Sequence, residues 1–210
     1  MGKSGIMGLS QTGSVIIVPE LLFCTERLLI REYHKKDIDS FLQVVRQPEL
    51  YHTTYGIPRE YTKRRAKQWL RFIHNNIRYM LSYEFGMFLK ENEQYIGNVG
   101  LINVSKDHNH ADISYYIDTN YRNRGYTTEA AREMLRFGFE VMGFEKISGL
   151  CMSINTPSRR VMEKIGMQFE GTLRKDLLKD GIYYDMDHLS ILKEEYFTNS
   201  KVVNPLSFQH

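Results

Sequence analysis

The sequence predicts an α/β fold in which helices pack on a mixed, mostly antiparallel sheet. Three observations carry this. Strand-type runs follow one another from Phe85 to Asp118 with no helical segment between them, which rules out a doubly wound parallel arrangement. Helix-type apolar spacing occupies separate blocks on either side, at 62–77 and 130–142. The last two strand-type runs meet at Asp180-Gly181, a dipeptide suited to a two-residue hairpin turn.

In chain order, residues 1–22 read as a Gly- and Ser-rich extension with one β-prone run, Val15-Ile-Ile-Val18. Residues 23–197 form the domain. Thr25 to Tyr33 is its first strand. Asp37 caps a helix with Ile38, Phe41, Leu42 and Val45 on one face, ended by Pro48. A loop rich in Tyr and His fills 48–61. Thr62 caps a second helix whose inner face is Ala66, Trp69, Leu70, Ile73 and Ile77. Phe85 to Lys90 and Gln94 to Val104 form a hairpin around Glu91-Asn92-Glu93, and Ala111 to Asp118 alternates as a further strand. A helix then buries Ala130, Ala131, Met134, Leu135, Gly138 and Met142, and Gly143 stops it. Lys146 to Ile154 is a strand. Pro157 opens a short helix with Asn155 or Thr156 as cap, and Gly166 ends it. The hairpin Gly171–Lys179 and Ile182–Leu192 closes the domain, and 198–210 read as a loose polar tail.

Composition narrows the function. With 28 basic and 25 acidic residues the net charge is +3, too small to argue for nucleic acid. No apolar stretch approaches the roughly 20 residues of a membrane span. The two cysteines, Cys24 and Cys151, are too few for a disulfide framework and read as reduced, mostly buried thiols. No His-x-x-x-His or Cys-x-x-Cys spacing occurs, so no metal site is expected. A reducing cytoplasm is the default location.

The chemistry centres on residues 116–131. An alternating run ends at Asp118, a polar turn carries Arg122, Arg124 and Gly125, and a helix begins at Thr127 or Thr128. A strand, a basic turn and a helix N-terminus make a phosphate site: amides converge, the helix dipole adds positive charge and Gly125 lets the backbone come close. The arginines add charge-assisted hydrogen bonds.

Seven segments in this order resemble the GNAT superfamily of N-acetyltransferases, in its ribosomal-protein N-acetyltransferase-like (RimJ/RimL-type) branch. They are Thr25–Arg31, Tyr95–Gly100, Ala111–Asp118, Tyr121–Ala130, Asn155–Ser158, Glu163–Gly166 and Glu170–Arg174. The resemblance implies an acyl-CoA N-acyltransferase fold with splayed central parallel strands and acetyl-CoA as donor. It implies that the backbone from Arg122 through Asn123, Arg124, Gly125, Tyr126 and Thr127 to Thr128 holds the pyrophosphate of coenzyme A. Thr127 departs from the small residue the family has there. The resemblance further implies that pantetheine lies between the splayed strands near Tyr116-Ile117 and Met152-Ser153, contacting Asn155. Homodimers are common in this branch.

Acetyl transfer needs a neutral amine, a donor to the oxyanion and an acid for the leaving thiolate. The resemblance points to the backbone N–H near Tyr116 as oxyanion donor and to Ser158 as acid, because Met162 stands where other members have Tyr. For the base three readings stay open: Asp112, where the family commonly has Glu; Asp176, beside Leu177; or a water relay. A weak base favours a low-pKa acceptor, such as a peptide or protein N-terminal α-amine. A polyamine or aminoglycoside-like amine, or a non-catalytic acyl-CoA-binding module, are the alternatives. The loop 48–61, the segment 78–84 and the final hairpin are expected to frame the acceptor.

Overall fold

The computed structural model describes residues 21–203, with side chains as far as residue 198. The run Val15–Val18 lies outside them. Strands β1 (Leu22–Cys24) and β2 (Leu28–Arg31) lead into helices α1 (Ile38–Val45), α2 (Pro48–Thr53) and α3 (Lys63–Tyr79). Strands β3 (Tyr83–Leu89), β4 (Tyr95–Ser105) and β5 (His110–Ile117) follow. Next come α4 (Tyr126–Arg136), β6 (Lys146–Met152), α5 (Thr156–Lys164), β7 (Gln168–Lys179), β8 (Ile182–Leu192) and α6 (Lys193–Val203). The strands form one sheet ordered β1-β2-β3-β4-β5-β6-β8-β7. This is the expected mixed, mostly antiparallel arrangement.

Among the described residues the only parallel contact in that sheet joins β5 and β6. β5 and β6 pair over His110↔Lys146, Ala111↔Ile147 and Asp112↔Ser148. Beyond Asp112 they part. β5 continues to Ile117 on β4 alone, and β6 continues to Met152 on β8 alone. The gap between two sheet halves is therefore an opening lined by strand edges.

Each face of the sheet buries its own core. On one side Phe85, Met87, Val99, Leu101, Ala111 and Ile113 meet Ala130, Ala131, Met134 and Leu135 of α4. On the other, Tyr33, Phe88 and Tyr95 meet Phe41, Leu42, Val45, Leu70 and Ile73 of α1 and α3. Residues of β3 therefore alternate between two apolar layers, as a strand with period two must.

Five local expectations change. The strand expected from Thr25 to Tyr33 is confined to β2, and a further strand, β1, precedes it and pairs with it antiparallel. Asp37 stands at the N-cap position of α1 as expected, but its side chain makes no capping hydrogen bond to that helix. Its carboxylate instead accepts from the His34 N–H (2.7 Å) and from Arg31 Nη1 (2.7 Å) and Nη2 (3.1 Å). Pro48 begins a helix where one was expected to end. Gln47 is extended, as the residue before a proline prefers, and Pro48 then supplies a helical φ at the first position of α2. At the other end, α6 runs through residues 198–203, where the polar tail was expected to begin. Cys24 is exposed rather than buried, while Cys151 is buried; both are free thiols.

Candidate active site

The turn after β5 has the geometry of an anion cradle. Asn123 and Gly125 both take positive φ, 60° and 81°, so successive amides turn toward one point. α4 starts directly after them, at Tyr126. The turn is held from behind. Glu129 accepts from Thr25 Oγ1 (2.6 Å), Arg27 N (2.8 Å) and Arg27 Nε (2.7 Å). Arg27 Nη1 in turn donates to the Arg124 carbonyl at 2.9 Å, and its guanidinium lies 4.4 Å over the Tyr126 ring.

A cavity of about 310 Å³ opens on this turn. Among its walls are Tyr116, Ile117, Arg122, Asn123, Gly125, Thr127, Thr128, Asn155 and Ser158. Arg124 and Tyr126 do not line it; they serve the Arg27 brace instead. The sequence reading missed Arg160 and Lys164, which bring two more cations to the wall from α5. Their helical spacing of four residues put them on one face, but nothing local said which face.

A second cavity of about 300 Å³ lies on the α1/α3 side of the sheet. Phe41, Val45, Ile57, Tyr61, Trp69 and Ile102 make it largely apolar, and Glu84 is the carboxylate on its wall. The two cavities share Thr53, Thr54, Tyr115, Tyr116, Asn155 and Ser158. They meet where β5 and β6 have splayed apart.

At the junction Ser158 and Tyr115 form a reciprocal pair. Tyr115 Oη donates to the Ser158 carbonyl at 2.9 Å, and Ser158 Oγ donates to Tyr115 Oη at 3.2 Å. Burial pushes the Tyr115 phenol up, so it stays protonated at neutral pH. Asn155 Oδ1 accepts from Ser158 N (3.2 Å), capping α5, and its Nδ2 donates to the Thr53 carbonyl (2.8 Å). That bond draws the end of α2 over the junction. From the opposite side Lys179 Nζ donates to the carbonyls of Tyr51 and Thr54, the latter at 2.6 Å. The Tyr51 hydroxyl donates to Asp180. The final hairpin thus latches α2 by its tip without lining either cavity.

Asp112 lies on β5 one alternation before Ser114 and accepts from Asn103 Nδ2 at 2.9 Å. It is not on the wall of either cavity. Asp176 is exposed on β7, beside a register shift between Leu173 and Leu177. Glu84 was not singled out as a base. Its signal was a carboxylate alternating with Tyr83 and Phe85 on a buried strand. Desolvation pushes its carboxyl up to about 7. Cys151, also on the apolar cavity, is pushed up to about 11 by burial and by the charge of Asp187. Among the described residues no group of His, Cys, Asp or Glu could hold a metal ion, and no helix is long and apolar enough to cross a membrane.

Three carboxylates around the site share one electrostatic pattern. Burial alone pulls Asp37, Glu129 and Asp187 up, but their hydrogen bonds and cations outweigh it and each ends lowered. Asp187 accepts from Ser153 Oγ (2.7 Å), Thr172 Oγ1 (2.8 Å) and Arg159 Nη1 (3.1 Å). A depressed folded pKa favours the folded state above the unfolded carboxylate value of about 4, and that contribution is lost as pH falls through the folded value. Thermal midpoints are therefore expected to hold from neutrality to about pH 5 and to fall steeply below about pH 4. Scanning calorimetry between these limits checks this, and a midpoint unchanged at pH 3 contradicts it.

Comparison with known proteins agrees with this geometry. Residues 27–168 match the family described as acetyltransferase (GNAT) domain. The chain is 31% identical over 173 residues to the uncharacterized N-acetyltransferase YnaD of Bacillus subtilis, covering 82% of this chain and 97% of that protein. Its fold is similar to that of a ribosomal-protein-S5-alanine acetyltransferase from Vibrio fischeri (TM-score 0.75, 19% identity, 84% and 98% coverage). It is similar as well to that of spermidine N-acetyltransferase from Vibrio cholerae in complex with CoA and spermine (TM-score 0.72, 18% identity, 81% and 98% coverage). At these identities the two structures speak for the fold, not for the acceptor.

Proposed function

The chain belongs to the GNAT acetyltransferase family and is an N-acetyltransferase that uses acetyl-CoA; on that premise we propose that its acceptor is the α-amine of a peptide or protein N-terminus. One observation carries the reading. A cavity with cations along its wall and an apolar cavity with a single carboxylate join at Tyr115, Tyr116, Asn155 and Ser158. The first fits the phosphates and arm of coenzyme A, held by the turn Arg122–Thr128, by Arg160 and Lys164, and by the free edges at Tyr116-Ile117. The second fits an amine borne on an apolar body.

Acetyl-CoA supplies a thioester whose carbonyl carbon accepts the amine. The chain's own groups do the rest. The β5 backbone near Tyr116 offers an N–H to developing oxyanion charge. Ser158, oriented by Tyr115, offers a proton to the leaving sulfur. Cys151 remains a thiol well above neutral pH, which favours direct attack within a ternary complex over an acyl-cysteine route.

Charge separates the possible acceptors. A polyamine gains from several carboxylates, and this cavity wall has one, Glu84. The proton transfer points the same way. From an α-ammonium near ~7.8 to a carboxyl near 7, it costs roughly 1 kcal/mol; from a lysine-like ammonium near ~10.4 it costs about 4 to 5 kcal/mol. The test is thiol release from acetyl-CoA over N-terminal peptides, polyamines and aminoglycosides. Peptides beginning with Leu, Met or Phe are expected to exceed those beginning with Asp or Lys by about tenfold in kcat/KM, since one large apolar side chain is worth roughly 1.5 to 3 kcal/mol when buried. Faster turnover of polyamines than of any peptide overturns the reading. Tight CoA binding with no thiol release over the whole panel favours a binding module.

A further inference from the structure

We propose that Glu84 is the general base of the reaction, anchoring the acceptor ammonium in the apolar cavity and taking its proton. This deepens the amine-acceptor reading above and rests on it.

Position comes first. Register places Glu84 opposite Gly100 on β4, and Gly100 opposite Ser114 on β5. The three form one row across the sheet, on the face below the apolar cavity. Glu84, Ser114 and, one alternation further along β5, Tyr116 all line it. The row leaves room for a carboxylate. A Cβ added at Gly100 would stand 2.4 Å from the Tyr83 carbonyl, 2.9 Å from Glu84 Cα and 3.1 Å from Glu84 Cγ. A side chain at 100 would collide with the β3 backbone at Tyr83 and Glu84 and crowd the Glu84 side chain. Strands stand ~4.8 Å apart and one alternation spans ~6.7 Å. Two strand spacings and one alternation set the backbone at 84 roughly 12 Å from that at Tyr116 on the splayed edge, a gap spanned by the Glu84 side chain together with the acceptor amine or a short chain of waters.

The surroundings leave Glu84 free for a ligand. Its side chain makes no hydrogen bond or ion pair among the described residues, unlike that of Asp112, which accepts from Asn103. No Lys, Arg or His lines this cavity. The titratable groups facing it are Tyr55 and Tyr61 on the segment after α2, Tyr115 and Tyr116 on β5, and Cys151 on β6, with Tyr33, past the end of β2, bonded to the lining Asn98. All are shifted up, Tyr61 to about 12 and Cys151 to about 11, chiefly by burial. Every one is neutral near pH 7 and none can serve as Glu84's counter-ion. A carboxylate desolvated without a cation is costly, and an incoming ammonium relieves that cost. Once the site holds it, Glu84 Oε removes one N–H proton. The freed lone pair forms the C–N bond as the C–S bond breaks, the thiolate takes the Ser158 hydroxyl proton, the nitrogen's second proton passes through water back to Ser158, and Glu84 releases its own proton to solvent. The balance is ammonium plus thioester giving amide, thiol and one proton.

The test is Glu84→Gln, with Glu84→Asp as a second variant that keeps a retracted carboxylate. In the wild type, kcat/KM for an N-terminal peptide is expected to rise through an inflection near pH 7. Glu84→Gln should lose that inflection and about 10²-fold or more in rate, with KM for acetyl-CoA within about twofold. Glu84→Asp should keep the inflection at an intermediate rate. A readout independent of turnover is the carboxyl ¹³C resonance of glutamate-labelled protein that disappears in either variant. A titration midpoint above about 6 supports the proposal; a midpoint at the ordinary glutamate value of about 4.3 overturns it. So does a Glu84→Gln enzyme within threefold of wild type with an unchanged pH profile. In that event peptides still being acetylated leaves the acceptor reading standing, whereas a polyamine preference removes the acceptor reading and leaves the Glu84 titration to be judged on its own.

Discussion

Tyr115→Phe is expected to slow acetyl transfer nearly as much as Ser158→Ala, by about 10- to 100-fold in kcat. The two hydroxyls form one unit: Ser158 Oγ donates to Tyr115 Oη, and Tyr115 Oη donates to the Ser158 carbonyl. Without the phenol, the serine hydroxyl loses its orienting partner and the first turn of α5 loses a tie to β5. The effect lies at the lower end of general acid catalysis because a thiolate whose conjugate acid has a pKa of about 8.5 is already a fair leaving group. The double variant should be little slower than the slower single one, since residues of one network do not contribute additively. Steady-state kinetics of the four proteins, with KM for acetyl-CoA as control, checks this. Full additivity of the two single effects, or a Tyr115→Phe enzyme as fast as wild type, contradicts it.

Gly125→Val is expected to weaken coenzyme A binding by about 10- to 100-fold while the protein stays folded. Space is not the obstacle, since an added Cβ meets only Arg27 Nη2, at 3.4 Å. The backbone is, because φ at 125 is +81° and a β-branched residue pays roughly 1 to 3 kcal/mol there. The turn relaxes by swinging its amides, and those amides are what the phosphates need. A 1.4 kcal/mol loss is tenfold in affinity. Calorimetric titration with CoA measures it, and a Kd within threefold of wild type sinks the idea. Gly125→Ala should fall between the two.

The motif-bearing half of the site was legible because its instructions are local. Arg122 to Thr128 specify a turn by their own chemistry, and Asn155-Thr-Pro-Ser158 specify a capped helix start, so both are legible from a few consecutive residues. The splay of β5 from β6 was implied by resemblance and appears as pairing that stops at Asp112↔Ser148. α2 was read as a loop because one Pro carries two meanings: it ends the helix before it or begins the next. Only the turn at Arg46-Gln47, set by packing of α1 against α3, decided which.

The acceptor half was not legible, because its parts are far apart in the chain and none bears a local signature. Glu84 reads as any strand carboxylate until Gly100 and Ser114 are set beside it. Tyr115 reads as core until α5 brings Ser158 to its hydroxyl. Arg160 and Lys164 look like a solvated helix face until α5 is laid against the turn at Gly125. By itself the sequence determined the layer order, the turn and helix start at Arg122–Thr128 and the cap at Asn155, since backbone preference and apolar period act over a few residues. The tertiary structure alone decided which carboxylate lines the apolar cavity, because that depends on strand register, and a shift of one residue would have sent Glu84 to the opposite face of the sheet.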